Sequence, residues 1–245
     1  LARIYARHGK YEYSEILLGN LLANNPDDAD ALEFKGVVAL EKGSYEEARE
    51  AFTRGLTIAP SSDSIIGLSV ALINLNKFDD AIDALNTWMK DHPGDVSVQY
   101  HLANTYLTHG LVEEAKDSFL QLTQISPEHV LGLNNIAWLL RDERPREAMT
   151  FAEKAYTLSP ESPGVLDTLG VLKMNAGDTE AAVRFLTRAN TLQPDNVIIQ
   201  YHLGSALIAN GKVSTGQSIL EKLLGNADIP DDLRKNIDNL LAREG

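Results

Sequence analysis

The sequence predicts an all-α solenoid of tandem helical hairpins, and three observations carry that reading. Six prolines, Pro26, Pro60, Pro93, Pro127, Pro160 and Pro194, follow one another at spacings of 34, 33, 34, 33 and 34 residues. Between them apolar residues recur at helical intervals, as in Ala48, Phe52, Gly55 and Leu56 or Ala115, Phe119 and Leu122, while strand-like alternation is rare. Small residues return at one phase of the period, at Gly36, Ala103, Ala137, Gly170 and Gly204, where two helices must approach closely.

Each element has its own signal. Gly9, Gly43, Gly110, Gly177 and Gly211 follow the first helix of a pair, where a left-handed cap position favours glycine. The acidic pairs Glu46-Glu47, Asp79-Asp80 and Glu113-Glu114 open the second helix, whose N-terminal partial charge favours anions. Ala48, Ala81, Ala115, Ala148 and Ala182 recur inside it, and the proline ends the unit. Helix pairs are expected at 29–58, 63–91, 96–125, 130–158, 163–192 and 197–225. The corresponding single-solenoid division is a partial repeat over 1–26, repeats over 29–62, 63–95, 96–129, 130–162, 163–196 and 197–229, and a capping helix over 230–243. In that last segment Leu233, Ile237, Leu240 and Leu241 share one face. The short leading helix at the start is expected to continue a longer solenoid.

Three departures stand out. One residue is missing before Ile65, the turn Arg141-Asp142-Glu143-Arg144-Pro145 lacks its glycine, and Gly216 stands where the other copies carry alanine.

Composition narrows the function. Hydrophobic residues make up 44% and charged residues 23%, enough apolar surface for a continuous core. A formal net charge of −13 argues against nucleic acid and anionic lipid, both of which need clustered Lys and Arg. The absence of cysteine removes disulfides and thiolate chemistry. No apolar run reaches the roughly 18 to 20 residues of a membrane span. Leu1 to Tyr5 carry no basic segment leading into an apolar stretch, so the compartment stays open between cytoplasm and periplasm.

Catalytic and metal signals are lacking. His8, His92, His101, His109, His129 and His202 form no metal-ligand spacing, and His101 and His202 are equivalent positions three repeats apart, so repetition explains them. Gly211-Lys212-Val213-Ser214 reads as a turn and helix start rather than a phosphate loop. The expectation is therefore no catalytic residue, no metal and no cofactor. Tyr11, Tyr45, Phe78 and Trp88 read as packing residues.

The pattern Ala31-Leu32, Lys35-Gly36, Gly43-Ser44-Tyr45-Glu46-Glu47-Ala48, Phe52, Gly55 and Pro60 resembles the tetratricopeptide repeat. The resemblance covers essentially the whole chain. It implies a right-handed superhelical solenoid and a non-catalytic scaffold that binds a protein or peptide on its concave face. In the family register Tyr100, Asn104 and Thr108 fall on that face beside Asn134, Trp138 and Arg141. Asp167, Val171 and Asn175 come next, with Tyr201 and Ser205 beyond, as one expected strip. Asn side chains can hold a peptide backbone, and the aromatic rings supply apolar area at low rotamer cost. Family members that hold a terminal carboxylate do so with Lys, Asn and Arg; Glu33, Val37, Ile66 and Val70 occupy those positions here, so chaperone tails are not expected to bind.

The runs Leu133 to Leu140, Ala152 to Pro160 and Val165 to Gly170 are similar to bacterial envelope repeat lipoproteins that accompany exosortase sorting and exopolysaccharide export. That likeness implies a periplasmic or outer-membrane-anchored setting. It also raises an alternative, direct polysaccharide binding through Tyr100, Trp138 and Tyr201. A further alternative is a regulatory repeat segment of a larger multidomain protein.

Overall fold

The computed structural model describes residues 2–226 and 228–244; Leu1, Ala227 and Gly245, at the expected chain ends and within the sixth repeat, lie outside. Among the described residues the chain is an all-α solenoid of fifteen helices and no strand. First helices are α1 (Ala2–Arg7), α3 (Ala29–Glu41), α5 (Ser62–Asn74), α7 (Val96–Thr108), α9 (Val130–Leu140), α11 (Pro163–Asn175) and α13 (Val197–Ala209). Their partners are α2 (Tyr11–Asn24), α4 (Tyr45–Ile58), α6 (Phe78–Asp91), α8 (Val112–Ile125), α10 (Pro145–Leu158), α12 (Thr179–Leu192) and α14 (Val213–Leu224), and α15 (Asp231–Glu244) closes the chain. They group into two compact units, residues 1–118 and 119–245.

First and second helices mostly begin differently, the uncapped first helix α11 and the second helix α12, capped by Asp178, being exceptions. Most first helices have a side-chain cap: Asp28 accepts from the Ala31 amide, Ser61 from Ser64, Asp95 from Val98, His129 from Gly132 and Asn196 from Ile198 and Ile199. Among second helices α4 and α6 have no such bond, but carry Glu46-Glu47 and Asp79-Asp80 in their first turns. Asp95 does more than cap. Burial pushes its carboxyl upward, but hydrogen bonds from Ser62, the Val98 amide and Trp88 together hold it below the usual carboxylate range.

The turns follow the same logic. The five turn glycines sit at φ between 67° and 84°, and Asn76 takes the equivalent place at φ 59°. The fourth repeat needs no left-handed residue. There α9 ends after 11 residues, the Arg144 amide bonds back to the Leu140 carbonyl, and Pro145 opens α10.

Core packing explains the small residues of the repeat and the Gly216 departure. The Phe52 ring, 1% exposed, lies where a Cβ on Gly36 or Gly67 would approach within 2.7 or 2.3 Å. That close fit packs α4 beneath both α3 and α5. A Cβ on Gly216 would lie 2.6 Å from the Gly204 carbonyl oxygen, so α13 and α14 approach too closely there for alanine. At the carboxy terminus Leu233 and Ile237 of α15 join Ile208, Leu220, Leu223 and Ile229 in one cluster.

Trp88 packs against the Ile65, Leu85, Val98 and Leu102 cluster, as expected, and also makes polar contacts. It is half-buried, donates through Nε1 to Asp95 at 2.8 Å, stacks on His92 at 4.0 Å, and borders an outer cavity with Leu56 and Ile65. Tyr11 packs with Leu18 and Val38, and Phe78 lies against His109 at 4.3 Å.

Candidate functional site

In each unit the first helices present successive side chains on one face, and the two faces differ. In the amino-terminal unit, α3 and α5 enclose a groove of about 530 Å³ bordered by Glu33, Val37, Glu41, Asp63, Ile66 and Val70. Phe52 and Gly67 underlie it. Val37 is 37% exposed, an apolar side chain that the fold leaves facing water. Glu33 is fixed in place: its Oε2 accepts from the Ser61 and Ser64 hydroxyls at 2.6 and 2.8 Å. Glu41 and Asp63 are exposed and have no ion-pair or hydrogen-bond partner among the described residues.

Further along the same unit, Asn104 on α7 donates to the Tyr100 carbonyl at 2.9 Å, and Thr108 donates to the Thr105 carbonyl at 3.1 Å. At least part of the polar capacity expected for ligand is thus engaged with the helix itself. The Ser69 hydroxyl donates to the Ile66 carbonyl and lies 2.8 Å from His101 Nε2. Burial lowers the His101 pKa from its ordinary value.

The face of the carboxy-terminal unit is tied together by its own side chains. The Arg141 guanidinium lies 4.2 Å over the Trp138 ring, and its Nη1 donates to the Trp138 carbonyl at 2.8 Å. Trp138 on α9 reaches His202 on α13, with ring centroids 5.7 Å apart. His202 Nδ1 pairs with Asp167 Oδ1 of α11 at 2.8 Å, both side chains being nearly buried. Tyr201 packs against the same imidazole at 5.6 Å, and Ser205 donates to the Tyr201 carbonyl. Asn134 carries a buried Oδ1 with no hydrogen-bond partner among the described residues.

The structure therefore gathers Trp138, Asp167 and Tyr201 around His202, with Arg141 stacked on Trp138, so that His202 has a role beyond repetition. Asn175 lies apart. It is exposed at the end of α11 and borders a cavity of about 450 Å³ with Pro145, Met149 and Leu172. The signal that could have found the cluster is spacing: Asp167 and His202 are 35 residues apart, close to one period, which places them on adjacent first helices.

A chain of antiparallel helix pairs, repeated every 33 or 34 residues and joined mostly by left-handed glycine turns, is a helical-repeat protein. Sequence profiles described as tetratricopeptide repeat match residues 1–63, 39–99, 96–129 and 164–196. The chain belongs to the tetratricopeptide-repeat family. A TPR repeat-containing protein of Pseudomonas aeruginosa is 26% identical over 180 residues, which cover 68% of this chain and 29% of that protein. The chain thus spans less than a third of that relative's length.

Solved structures show the same fold. A tetratricopeptide repeat protein from Parabacteroides merdae superposes with a TM-score of 0.70 at 17% identity, covering 87% of each chain. The structure of YrrB, described as a TPR protein with an unusual peptide-binding site, gives 0.61 at 18% identity and covers 78% of this chain and all of that one. Repeats of this family typically mediate protein–protein interaction. No described helix is long and apolar enough to cross a membrane.

Proposed function

We propose that the chain is a non-catalytic interaction scaffold that holds a peptide or protein segment against its first-helix faces. The observation that carries this reading is the groove between α3 and α5, where exposed Val37 and the partly exposed Ile66 and Val70 lie between carboxylates. An extended or helical segment fits such a surface, with apolar anchors in the groove and polar groups at its rim. The likeness to a fold-mate described as having a peptide-binding site supports the same class of ligand.

The strip from Tyr100 to Ser205 is proposed as a second contact, to be read unit by unit. Peptide is favoured over polysaccharide there, because a sugar stacking on Trp138 would have to displace the Arg141 guanidinium. Envelope exopolysaccharide export or protein sorting is the setting supported by the likeness of residues 133–170. A lipoprotein signal in the complete reading frame would support it, and a cytoplasmic start would overturn it.

The test is partner capture from native lysate by three folded variants. Val37→Arg with Val70→Arg alters the amino-terminal face, Asn134→Ala with Trp138→Ala alters the carboxy-terminal one, and Glu50→Arg with Asp83→Arg alters second helices only. Loss of captured protein with either first-helix variant, by several-fold or more, supports the scaffold reading. Loss confined to the second-helix variant overturns it.

A further inference from the structure

The cations at α3 and the acids on its groove side point different ways. Lys35 pairs with Glu47 of α4 at 3.0 Å, and Lys42, the residue that follows α3, pairs with Glu15 of α2 at 2.5 Å, so both cations are turned toward second helices and neutralised there. The groove side of the same helix carries Glu33 and Glu41, and Asp63 faces them from the first turn of α5. Among the described residues no lysine or arginine lines the groove. Part of this acidity has a structural use: Glu33 holds the Ser61 cap, and Asp63 sits at a helix start where a carboxylate is favoured. Glu33 still has its second carboxylate oxygen without a hydrogen-bond partner among the described residues, and Glu41 stands near the carboxy-terminal end of α3, where the helix field disfavours an anion. A carboxylate at that end is not explained by helix stability.

Between the acids lie Val37, Ile66 and Val70, so the surface alternates apolar floor and negative rim. From this complementarity we propose that the α3–α5 groove selects a cationic amphipathic peptide segment, one that seats aliphatic side chains on Val37, Ile66 and Val70 and directs lysine or arginine to Glu33, Glu41 and Asp63. The inference rests on the scaffold reading and adds the sign of the ligand. Arginine or lysine stems would cover the valines while their charged ends meet the rim. A segment ending in a carboxylate and lacking basic residues would meet repulsion there.

The experiment titrates the full chain with two synthetic 14-residue peptides of the same leucine pattern, one carrying lysine and the other glutamate at every polar position. Binding is read by fluorescence anisotropy. The lysine peptide is expected to bind at least about tenfold more tightly, and to weaken as salt is raised. Glu33→Gln, Glu41→Gln and Asp63→Asn together should cost about tenfold, since partly exposed charge pairs each contribute modestly. Glu41→Gln with Asp63→Asn, which spares the Ser61 cap, should give most of that loss. Glu50→Gln, Asp83→Asn and Asp117→Asn remove the same net charge from exposed second-helix positions and should leave affinity within about twofold.

Equal binding of the two peptides overturns the charge preference, as does equal loss in the groove variant and the matched surface variant. Lysine-peptide binding that survives Val37→Ser with Val70→Ser removes the groove as its seat. In each of these cases capture of a native partner, measured separately, can still stand, so failure of the ligand sign is distinguished from failure of the scaffold reading.

Discussion

The two first-helix faces come from one repeat register, yet they present different chemistry. In the amino-terminal unit equivalent positions carry Glu33, Val37, Ile66 and Val70, which bound an open groove. In the carboxy-terminal unit they carry Asn134, Trp138, Asp167, Val171, Tyr201 and Ser205; Trp138, Asp167 and Tyr201 converge on His202, and Val171 is buried. A large aromatic at a face position is therefore not by itself a vacant anchor. Aliphatic residues between carboxylates leave more surface for a ligand than a tryptophan that spans toward a histidine two first helices away.

The largest expected effect lies beneath the open face. Phe52→Ala removes the ring that fills the space between Gly36 and Gly67, and should cost about 3–5 kcal/mol. Urea unfolding of the full chain, with hydrogen exchange to localise the loss, should show deprotection of α3, α4 and α5. Exchange protection in α11 to α14 should change far less, because repeats are coupled mainly to neighbours. A uniform loss through both units would mean that the faces are not independently supported.

Next comes the tie across the other face. Asp167→Ala leaves a buried imidazole without its carboxylate and should cost about 1–3 kcal/mol. In a Trp88→Phe background the remaining tryptophan should also shift its emission to longer wavelength as the Trp138 surroundings loosen. An unchanged melt and spectrum would show that the cluster does not hold the ring.

A smaller effect is read through the pH dependence of stability at His101. Burial lowers the folded-state pKa of His101, so the neutral form is favoured on folding. Its contribution is present in full above the unfolded pKa of about 6.5, and is lost as pH falls from there toward the depressed folded value. Wild type should therefore lose more stability than His101→Gln between about pH 7 and pH 5. Equal losses would remove His101 from the acid response. The smallest stability change is expected at Val37→Ser, a few tenths of a kcal/mol, because that side chain is already partly in water.

The hairpins were legible because the proline period, the turn glycines and the apolar phase all report the same backbone geometry. Gly43, Gly110, Gly177 and Gly211 mark left-handed turns directly in the sequence, and Asn76 is readable once its register is known. The Gly216 departure could be seen but not explained until the Gly204 carbonyl was found against it. The faces were legible in position but not in state. Asn104 and Thr108 could be assigned to first helices, but not their bonds to the carbonyls of Tyr100 and Thr105. Likewise Trp138 could be placed near the face, while its contact with His202 depends on side-chain reach across α11. Glu33, Val37, Ile66 and Val70 were read from sequence for what they lack, the cations of a carboxylate clamp. Only the structure shows that they bound a cavity.

Methyl-detected NMR of the full chain during titration with the lysine-bearing peptide compares the two faces in a single measurement. The largest shifts are expected at the methyl groups of Val37, Ile66 and Val70, with Val171 and Leu203 nearly unmoved. Shifts centred on Val171, with Val37 and Val70 unchanged at saturation, would contradict the assignment of the open amino-terminal groove as the recognition surface.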